Sequence, residues 1–384
     1  MSADKLYDAA VIGTGPAGAS AALALARRGL AVLLLEKAAL PRYKTCGGGI
    51  LQRAYQLLPP EMAHVVERTF NSVELNFLGT NLHFVATRTE PMVYMVMRAE
   101  MDCLLAHAAR DAGARLIESC PVKNVRVKAE SVELATAQGN FRAQFVVAAD
   151  GVYSPTAKAL GWADLPALAP ALEYELHLPA EDLARFSQRP RFDFNGSAAG
   201  YAWVFPKRDH LSVGILSTRR PCPDLPAQLM KYLAQLGITR IQKMEKHGYF
   251  IPLAPRREPL ARGRVLLAGD AAGLVDPVTA EGISHALLSG QLAATALAEG
   301  SLDVRRVAGH YQSLLEQNIL GELRAGRLLA KVLYNYPRVR HWAFRAQGKA
   351  LSDFVAGIVM GERNYASALK SPASYLKMFG RKGG

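Results

Sequence analysis

The stretch Gly13-Thr14-Gly15-Pro16-Ala17-Gly18 stands between an apolar strand-like run, Tyr7 to Ile12, and a segment rich in Ala and Leu. A second buried strand is expected at Leu30 to Leu35, and it ends in Glu36. Glycines allow a tight turn and the close approach of a diphosphate, a helix N-terminus faces that group, and an acidic side chain accepts hydrogen bonds from ribose hydroxyls. The pattern therefore predicts a βαβ unit that binds a nucleotide, and a glycine-rich turn that merely packs is the alternative.

A basic, glycine-rich loop follows, and it contains Cys46-Gly47-Gly48-Gly49. Three consecutive glycines let the backbone lie flat against a planar or phosphorylated ligand. The Cys46 thiol beside such a ligand is either a proton donor or a reactive thiol, and a partly buried structural cysteine is the alternative. The residues alone leave these interpretations open.

Two later loops each place an Asp after a buried strand. Asp150 follows the apolar run Phe145 to Ala149, and Asp270 follows Val265 to Ala268. The second loop leads into a helix that we expect from about Gly282 to Leu297. A carboxylate beside a helix N-terminus suits a hydroxylated, anionic cofactor, because free N–H groups and partial positive charge are found there.

Short strand-like pieces replace the alternation of strands and helices at 72–96, before the Asp150 loop, and again at 170–249, between the two Asp loops. They predict a second, mostly antiparallel sheet. Within it, Tyr201, Trp203 and Phe205 recur with a period of two and so share one face of a strand. These aromatic side chains belong either to the core or to the wall of a pocket for an apolar substrate.

Helices complete the predicted secondary structure. One begins at Arg98, whose guanidinium either reaches a phosphate or pairs with Glu100 or Asp102. A longer helical region is expected from about Val304 to Leu333. Pro337 ends it, because proline cannot continue a helix interior.

Composition limits the function classes. The chain has 384 residues, half of them hydrophobic, so it can bury a large core and its length favours two domains. Its four cysteines form no C-x-x-C pair and have no ligand-spaced histidines, which predicts neither a metal site nor a disulfide scaffold. We expect neither a signal peptide nor a transmembrane helix, and therefore a cytoplasmic protein. No recognised motif predicts a nucleic-acid partner.

The formal net charge of +13 is concentrated near the C-terminus, where residues 331–384 hold ten basic side chains against two acidic ones, a net charge of +8. The same segment carries eight aromatic side chains: Tyr334, Tyr336, Trp342, Phe344, Phe354, Tyr365, Tyr375 and Phe379. Such a segment can bind anionic lipid headgroups, with its aromatic rings at the membrane interface. A solvated C-terminal helical cap is the alternative.

Three elements now stand in a definite order: the turn at 13–18, the Asp-Gly loop at Asp150 and the Gly-Asp loop at Asp270. This order is similar to that of the flavoprotein hydroxylase fold group. Three further motifs narrow the resemblance: Cys46-Gly47-Gly48, Tyr201-x-Trp203-x-Phe205-Pro206, and Gly269-Asp270-Ala271-Ala272-Gly273 with Glu281-Gly282-Ile283. With them, nearly the whole chain resembles the geranylgeranyl reductase family. Ala280 departs from that family, which often has glycine at this place in the loop.

The resemblance implies an α/β fold with a Rossmann-like FAD-binding domain of the glutathione reductase and hydroxylase type. It also implies an α+β substrate domain built on an antiparallel sheet, followed by C-terminal helices. The expected boundaries are 1–71, 93–169 and 250–320 for the FAD-binding domain, 72–92 and 170–249 for the substrate domain, and 321–384 for the helical, basic and aromatic C-terminal region.

By the same resemblance the cofactor is FAD. Its diphosphate would lie at Gly13, Gly15, Ala17 and Gly18, its adenosine ribose at Glu36, and its ribityl chain and nearby phosphate at Asp270. Backbone N–H groups of Gly282 and Ile283 would meet the pyrimidine edge of the flavin, where a helix N-terminus stabilises negative charge on the reduced ring. The remaining implied contacts are Lys37, Cys46, Gly47, Gly49, Arg98, Val122 and Asp150.

The family's activity implies saturation of isolated double bonds in a polyprenyl chain, by hydride transfer from flavin N5 and protonation of the other alkene carbon. Cys46 is the candidate proton donor, and Tyr201, Trp203 and Phe205 would line the tunnel for the chain. No second dinucleotide motif is recognised, so NADPH or a reduced ferredoxin is the expected transient electron donor. The substrate stays open among geranylgeranyl diphosphate, a chlorophyll precursor, an ether lipid and menaquinone.

Two other functions fit the same pattern. One is a flavin monooxygenase or halogenase acting on an aromatic substrate, although Tyr201 and Phe205 depart from the W-x-W-x-I-P form of the halogenase motif. The other is a membrane-surface flavoprotein that binds a lipid quinone without saturating it. For the reductase, the basic tail implies peripheral contact with the inner face of the membrane.

Overall fold

The computed structural model of the protein describes residues 5–197 and 199–366. Its strands are Leu6–Ile12 (β1), Val32–Leu35 (β2), Gly49–Leu51 (β3), Val66–Phe70 (β4), Ser72–Phe77 (β5), His83–Thr87 (β6), Val93–Val96 (β7), Arg115–Ile117 (β8), Val122–Val127 (β9), Val132–Thr136 (β10), Gly139–Ala148 (β11), Leu168–His177 (β12), Arg191–Phe194 (β13), Gly200–Pro206 (β14), Leu211–Ser217 (β15), Lys243–Pro252 (β16), Ala261–Arg262 (β17) and Val265–Leu267 (β18). Its α-helices are Pro16–Ala26 (α1), Gln52–Tyr55 (α2), Arg98–Asp111 (α3), Pro155–Ala159 (α4), Ala180–Ala184 (α5), Leu225–Gln235 (α6), Ile283–Glu299 (α7), Val304–Leu315 (α8), Gly321–Asn335 (α9) and Pro337–Met360 (α10).

The first sheet has the strand order β17-β18-β11-β1-β2-β8, with β10 paired to β11 and β9 paired to β10. Strands β1, β2, β8, β11 and β18 run parallel. Strand β2 is buried along its whole length, as expected of a parallel strand that is covered on both faces. Helix α1 packs closely on α7, since a Cβ on Gly290 would lie 2.2 Å from Ala17 O. The α/β fold with a Rossmann-like βαβ opening, as predicted from the sequence, is confirmed.

The second sheet has the order β16-β12-β15-β14-β13-β5-β6. Its neighbouring strands are antiparallel except for the parallel pair β13 and β5. Alternation along β12 gives the sheet two different faces. Tyr174 and Leu176 pack into a core with helix α6, whereas Ala171 and Glu173 face the space between the two larger sheets.

Several boundaries differ from the sequence prediction by a few residues. Strand β2 begins at Val32 instead of Leu30, because the chain is still leaving the turn at Gly29, which has a φ of 79°. Helix α7 begins at Ile283 and ends at Glu299. The helical region after Val304 is interrupted by a π-helical turn, Glu316–Leu320. Strands β12 and β16 extend past the expected domain limits at 170 and 249.

The C-terminal helices α9 and α10 pack on the second sheet, and this corrects part of the interpretation of the basic tail. Four of its aromatic side chains are buried rather than placed at the surface: Tyr334, Phe344, Phe354 and Tyr365. They pack with residues of the second sheet, because the apolar face of that sheet would otherwise be open to water. Tyr375 and Phe379 lie outside the described residues. None of the helices in the described ranges is long and apolar enough to cross a membrane.

Candidate active site

A cavity of about 750 Å³ is lined by residues of both larger sheets and of the C-terminal helices. Seventeen of the predicted site residues line it: Gly13, Gly15, Ala17, Glu36, Lys37, Cys46, Gly47, Gly49, Arg98, Val122, Asp150, Tyr201, Trp203, Phe205, Asp270, Gly282 and Ile283. Gly18 does not line the cavity. The fold therefore brings together at one site motifs that are separated by as much as 270 positions in the chain.

The glycine turn after β1 can accept a diphosphate for two separate reasons. Gly13 and Gly18 permit close packing, since a Cβ on Gly18 would lie 1.9 Å from Gly13 O and one on Gly13 would lie 2.5 Å from Ala149 O. Gly15 instead borders open space, because a Cβ there would meet no heavy atom within 4 Å. Helix α1 starts at this point without a side-chain cap. Its N-terminal N–H groups can therefore serve an anion in the cavity.

Glu36, at the end of β2, is buried and tied to the glycine turn. Its Oε2 accepts hydrogen bonds from Thr14 N at 3.0 Å and Thr14 Oγ1 at 2.5 Å, and Arg42 Nε lies 3.3 Å away. Burial acts to raise the pKa of Glu36, but Arg42 and the hydrogen bonds from Thr14 bring it below its ordinary value. The side chain is thus an anion at neutral pH, at the edge of the cavity where ribose hydroxyls would donate to it.

Opposite charges meet further along the cavity. Arg98 pairs with Asp102 through two hydrogen bonds of 2.9 Å, from Nε to Oδ1 and from Nη2 to Oδ2. Of the alternatives given for Arg98, the ion pair with Asp102 is therefore present, and the guanidinium also lines the cavity. Burial raises the pKa of Asp270, and the positive charges of Lys44 and Arg98 oppose that rise.

Asp150 and its neighbours form a braced loop beside the glycine turn. Asp150 Oδ1 accepts from Ser154 Oγ at 2.6 Å, and Oδ2 accepts from Thr156 N at 2.9 Å. These bonds hold the loop after β11 in place, so that its backbone can border a ligand. Val122 lines the same region at the start of β9, and Lys37 is exposed at its rim.

The Cys46 loop packs against the aromatic strand β14. A Cβ on Gly47 would lie 2.8 Å from Phe205 Cδ2 and 3.0 Å from Trp203 Nε1. Only glycine permits this close approach, which explains the glycine after Cys46 in structural terms. The thiol is half-buried and interacts with the Arg98 guanidinium.

The loop that precedes α7 is held from several sides. Arg53 Nη2 lies 3.0 Å from Glu281 Oε2, and Tyr201 Oη donates to Thr279 O at 2.5 Å. Between these anchors Ala280 has a φ of 56°, in the left-handed region that favours glycine. The departure noted in the sequence therefore lies at a position where the backbone conformation suits the glycine that the family often has.

Aromatic side chains of β14 line the part of the cavity that the second sheet forms. Tyr201 and Trp203 are each only 7% exposed, and both belong to a hydrophobic core while lining the cavity. Their side chains are therefore part of a core and of the cavity wall at once, and contact with an apolar substrate stays a prediction. Six further apolar residues that line the cavity were not predicted from the sequence: Phe192, Phe194, Leu333, Phe344, Val355 and Val359.

A polar group in the second sheet was also missed. Glu173 lines the cavity and is 1% exposed, and Lys207 is fully buried with its Nζ donating to Val96 O at 2.7 Å. Burial and the neighbouring Glu175 carboxylate raise the pKa of Glu173 above its ordinary range, whereas burial lowers the pKa of Lys207. The sequence carried no signal for this group, because Glu173 and Glu175 alternate with apolar residues in β12, as in a strand with one face in solvent.

Comparison with known proteins agrees with this geometry. A family model described as an FAD binding domain matches residues 6–177, and one described as FAD dependent oxidoreductase matches residues 95–296. Menaquinone reductase of Mycobacterium tuberculosis is 31% identical over 368 residues, which cover 88% of this chain and 86% of that protein. Geranylgeranyl diphosphate reductase of Synechocystis sp. is 30% identical over 318 residues, with 78% and 77% covered.

Solved structures share the whole fold at low sequence identity. A geranylgeranyl bacteriochlorophyll reductase-like protein from Thermoplasma acidophilum superposes with a TM-score of 0.78 at 21% identity, covering 98% of this chain and 96% of that one. A flavin-dependent brominase superposes with a TM-score of 0.74 at 19% identity, covering 93% and 94%. The fold is therefore common to reductases and halogenases, and it does not by itself choose between them.

Proposed function

Because the chain belongs to the geranylgeranyl reductase family of FAD-dependent oxidoreductases, we propose that it saturates isolated double bonds of a polyprenyl chain. One observation carries the proposal. The same cavity is lined by a glycine turn with an open helix N-terminus, which follows a strand of the first sheet, and by aromatic and aliphatic side chains of the second sheet and the C-terminal helices. The first part of the lining suits a dinucleotide, and the second suits a long apolar chain.

The residues that hold FAD are proposed from their places in the cavity. Glu36 binds the adenosine ribose, and the start of α1 at Gly15 and Ala17 binds the diphosphate. Asp270 holds the ribityl chain, while the backbone of Gly282 and Ile283 meets the pyrimidine edge. In this proposal the first sheet, including its strands β9 and β10, forms the FAD-binding domain together with helix α7. The second sheet forms the substrate domain.

Bound FAD, once reduced, supplies a hydride. An isolated alkene is unactivated, so a proton must reach its other carbon in the same reaction. The Cys46 thiol is the proposed donor, because it lines the cavity between the cofactor residues and the aromatic wall. The Arg98 guanidinium beside it would stabilise the thiolate that remains after proton transfer. Trp203 and Phe205 hold the chain and exclude water.

The relatives differ in the substrate that their names state, namely menaquinone and geranylgeranyl diphosphate. Both molecules carry a prenyl chain with the same type of double bond. We therefore assign the prenyl chain to the aromatic part of the cavity. NADPH or a reduced ferredoxin is the proposed electron donor, and it would act transiently.

A membrane surface is the proposed source of the lipid. Six large apolar side chains between positions 328 and 342 are exposed: Leu328, Leu329, Val332, Tyr336, Val339 and Trp342. The stretch 323–352 contains seven Lys and Arg residues and neither Asp nor Glu. Exposed apolar groups beside positive charge suit a bilayer with anionic headgroups. The same helices supply Leu333 and Phe344 to the cavity, so a lipid would have a short path into it.

Vesicle sedimentation tests the membrane contact. The double variant Leu328→Ser/Trp342→Ser removes side chains that are 61% and 59% exposed, and it should lose binding to phosphatidylglycerol vesicles. The matched control is Met230→Ser on α6, which removes a side chain that is 46% exposed and lies on another surface. Equal binding by the double variant and the control would contradict the assignment of this surface.

Flavin spectroscopy tests the reaction itself. FAD-loaded protein is reduced with one equivalent of dithionite under strictly anaerobic conditions, and geranylgeranyl diphosphate, which has no quinone ring, is then added. Reoxidation of the flavin without oxygen is expected, because the alkene is the electron acceptor. A monooxygenase or halogenase would instead reoxidise only when oxygen is admitted. A protein that only binds a lipid quinone would leave the prenyl chain unchanged.

A further inference from the structure

The strand β12 carries two buried carboxyl groups on the face that lines the cavity. Glu173 and Glu175 are two residues apart, so they point to the same side of the sheet, and they are 1% and 4% exposed. Burial raises the pKa of Glu173, and the two carboxyl groups are close enough for the charge of Glu175 to raise it further. Two carboxylates that lie this close in a buried place repel each other, which favours a proton on one of them.

The pair connects outward to solvent through a histidine. His210 Nε2 lies 3.1 Å from Glu175 Oε2, and His210 Nδ1 lies 2.7 Å from Asp209 Oδ1. The His210 side chain is 8% exposed, whereas the side chain of Asp209 is 71% exposed. A continuous row of titratable groups therefore leads from the protein surface to Glu175.

The pair also connects inward to the cavity. Glu173 Oε1 accepts a hydrogen bond from Ser212 Oγ at 2.8 Å. Its Oε2 is buried and has no hydrogen-bond partner in the described structure, although the side chain lines the cavity. A buried polar atom without a partner is costly in free energy, and a group that enters the cavity can satisfy it.

Charged and titratable groups of other elements surround this pair. Lys207 follows β14 and interacts with both carboxyl groups and with Cys46. Tyr43, in the loop that contains Cys46, interacts with Glu173, Glu175, Cys46 and Glu245. Four more titratable groups lie around these: His247 stacks on Tyr43, Glu245 of β16 lies opposite Glu175 in the strand register, Glu67 lies near Lys207, and His177 stacks on His210 at 5.0 Å. The tyrosine and lysine thus link the Cys46 side of the cavity to the carboxyl pair.

We propose that Glu173, Glu175 and His210 form a proton relay that carries protons from solvent at Asp209 to Cys46 in the cavity. The proposal rests on the proposed reductase function and deepens it, since each saturated double bond consumes one proton from the protein. Glu173 is the acid at the cavity end. Ser212 and Lys207 are positioning residues that hold the carboxyl groups in the row.

The proton steps balance in each cycle. The S–H bond of Cys46 breaks as a C–H bond forms on one alkene carbon, and the hydride pair of electrons comes from the reduced cofactor and forms the other C–H bond. The Cys46 thiolate then takes a proton from the Glu173 O–H group through water in the cavity. Glu173 is reprotonated by Glu175, Glu175 by the His210 imidazolium, and His210 by solvent.

The state of Glu173 can be tested without any turnover. Infrared difference spectroscopy on the FAD-loaded protein, with and without ¹³C-labelled glutamate, detects the C=O stretching band of a protonated carboxyl group. This band is expected at pH 7, should disappear as the pH is raised, and should be absent from Glu173→Gln. The matched control Glu245→Gln, which changes a 43% exposed side chain on the neighbouring strand, should retain it. A wild-type protein without the band at pH 7 would overturn the proposal.

Kinetics then separates the relay from the reductase function. A first turnover needs only the proton of the Cys46 thiol and no proton from the relay, so Glu173→Gln and His210→Gln should both complete a first anaerobic turnover at the wild-type rate. Their steady-state rates should fall roughly tenfold or more, as expected for loss of a positioned proton-transfer group. Glu173→Asp should restore part of the rate. Unchanged steady-state rates in both glutamine variants would refute the relay alone, whereas absence of a first turnover in the wild type would refute the reductase function.

Discussion

The indole ring of Trp203 lies directly against the backbone of Gly214 on the neighbouring strand. A Cβ at position 214 would stand 2.1 Å from Trp203 Cζ2 and 2.4 Å from Leu172 O. Glycine therefore sets the depth at which the indole sits, and with it the width of the cavity beside Gly47. The chain has a glycine in the middle of a buried strand, where it costs stability, because no larger residue leaves room for this ring.

Gly214→Ala should displace the indole into the cavity. We expect a loss of roughly 1–3 kcal/mol in the free energy of unfolding, as is usual for overpacking a core, and a shift in tryptophan fluorescence. Urea denaturation measures the first and emission spectra the second. Gly309→Ala in α8 is the control, since a Cβ there meets no atom within 4 Å. Equal stability of the two variants would contradict the packing described here.

Glu36→Gln should weaken FAD binding. The substitution keeps the shape of the side chain but removes the negative charge that accepts hydrogen bonds, and bonds to charged groups contribute roughly 1.5–3 kcal/mol. The dissociation constant of FAD should therefore rise by about tenfold to a hundredfold, as measured by quenching of flavin fluorescence. Glu130→Gln, at a side chain that is 91% exposed, should bind FAD as the wild type does. An unchanged constant in Glu36→Gln would remove Glu36 from the cofactor site.

Ala280→Gly should stabilise the protein. Ala280 has a φ of 56°, a conformation that costs an L-residue roughly 1–2 kcal/mol. Glycine avoids this cost, but its greater conformational freedom stabilises the unfolded chain and so offsets part of the gain. We expect the free energy of unfolding, measured by urea denaturation, to rise by roughly 0.5–1 kcal/mol. Ala308→Gly inside α8 is the control, and its free energy of unfolding should fall by about 1 kcal/mol. A loss of stability in Ala280→Gly would show that the loop is not strained.

Stability should decrease in mild acid because of His285. Burial, together with the nearby Arg53, lowers the pKa of His285 from 6.5 to about 4. The unfolded chain therefore takes up a proton between these values while the folded protein does not, so the free energy of unfolding falls as the pH decreases from 6.5 to 4. His285→Gln should flatten this slope relative to the exposed-site variant His64→Gln. Identical slopes in the two variants would contradict the buried neutral state of His285.

The fold could be predicted from sequence where the signals are local. The glycines at 13–18 and the apolar runs beside them specify a tight turn and buried strands through their own backbone preferences. The period of two at Tyr201, Trp203 and Phe205 likewise placed these side chains on one face, and the antiparallel character of the second sheet followed from its short strands.

The rest depends on contacts between distant parts of the chain. Nothing in the composition of the basic tail shows that Phe344 and Phe354 are buried, because burial depends on the sheet face on which α10 packs. The separation of Gly18 from the cavity depends on how closely α1 approaches β1. Glu173, in β12, and Lys207, just after β14, were missed because charged residues in and beside strands are usually solvated, and only the fold shows that these two lie inside.

Mass spectrometry of the prenyl lipid tests the central claim most directly. The FAD-loaded protein is incubated without oxygen with a chemical reductant and a geranylgeranyl lipid, and the product is compared with that of Cys46→Ser and of protein-free controls. The account predicts that the prenyl chain gains two hydrogen atoms for each double bond saturated, and that Cys46→Ser makes this product far more slowly. A prenyl chain of unchanged mass, or an oxygenated or halogenated product that forms only in air, would contradict it.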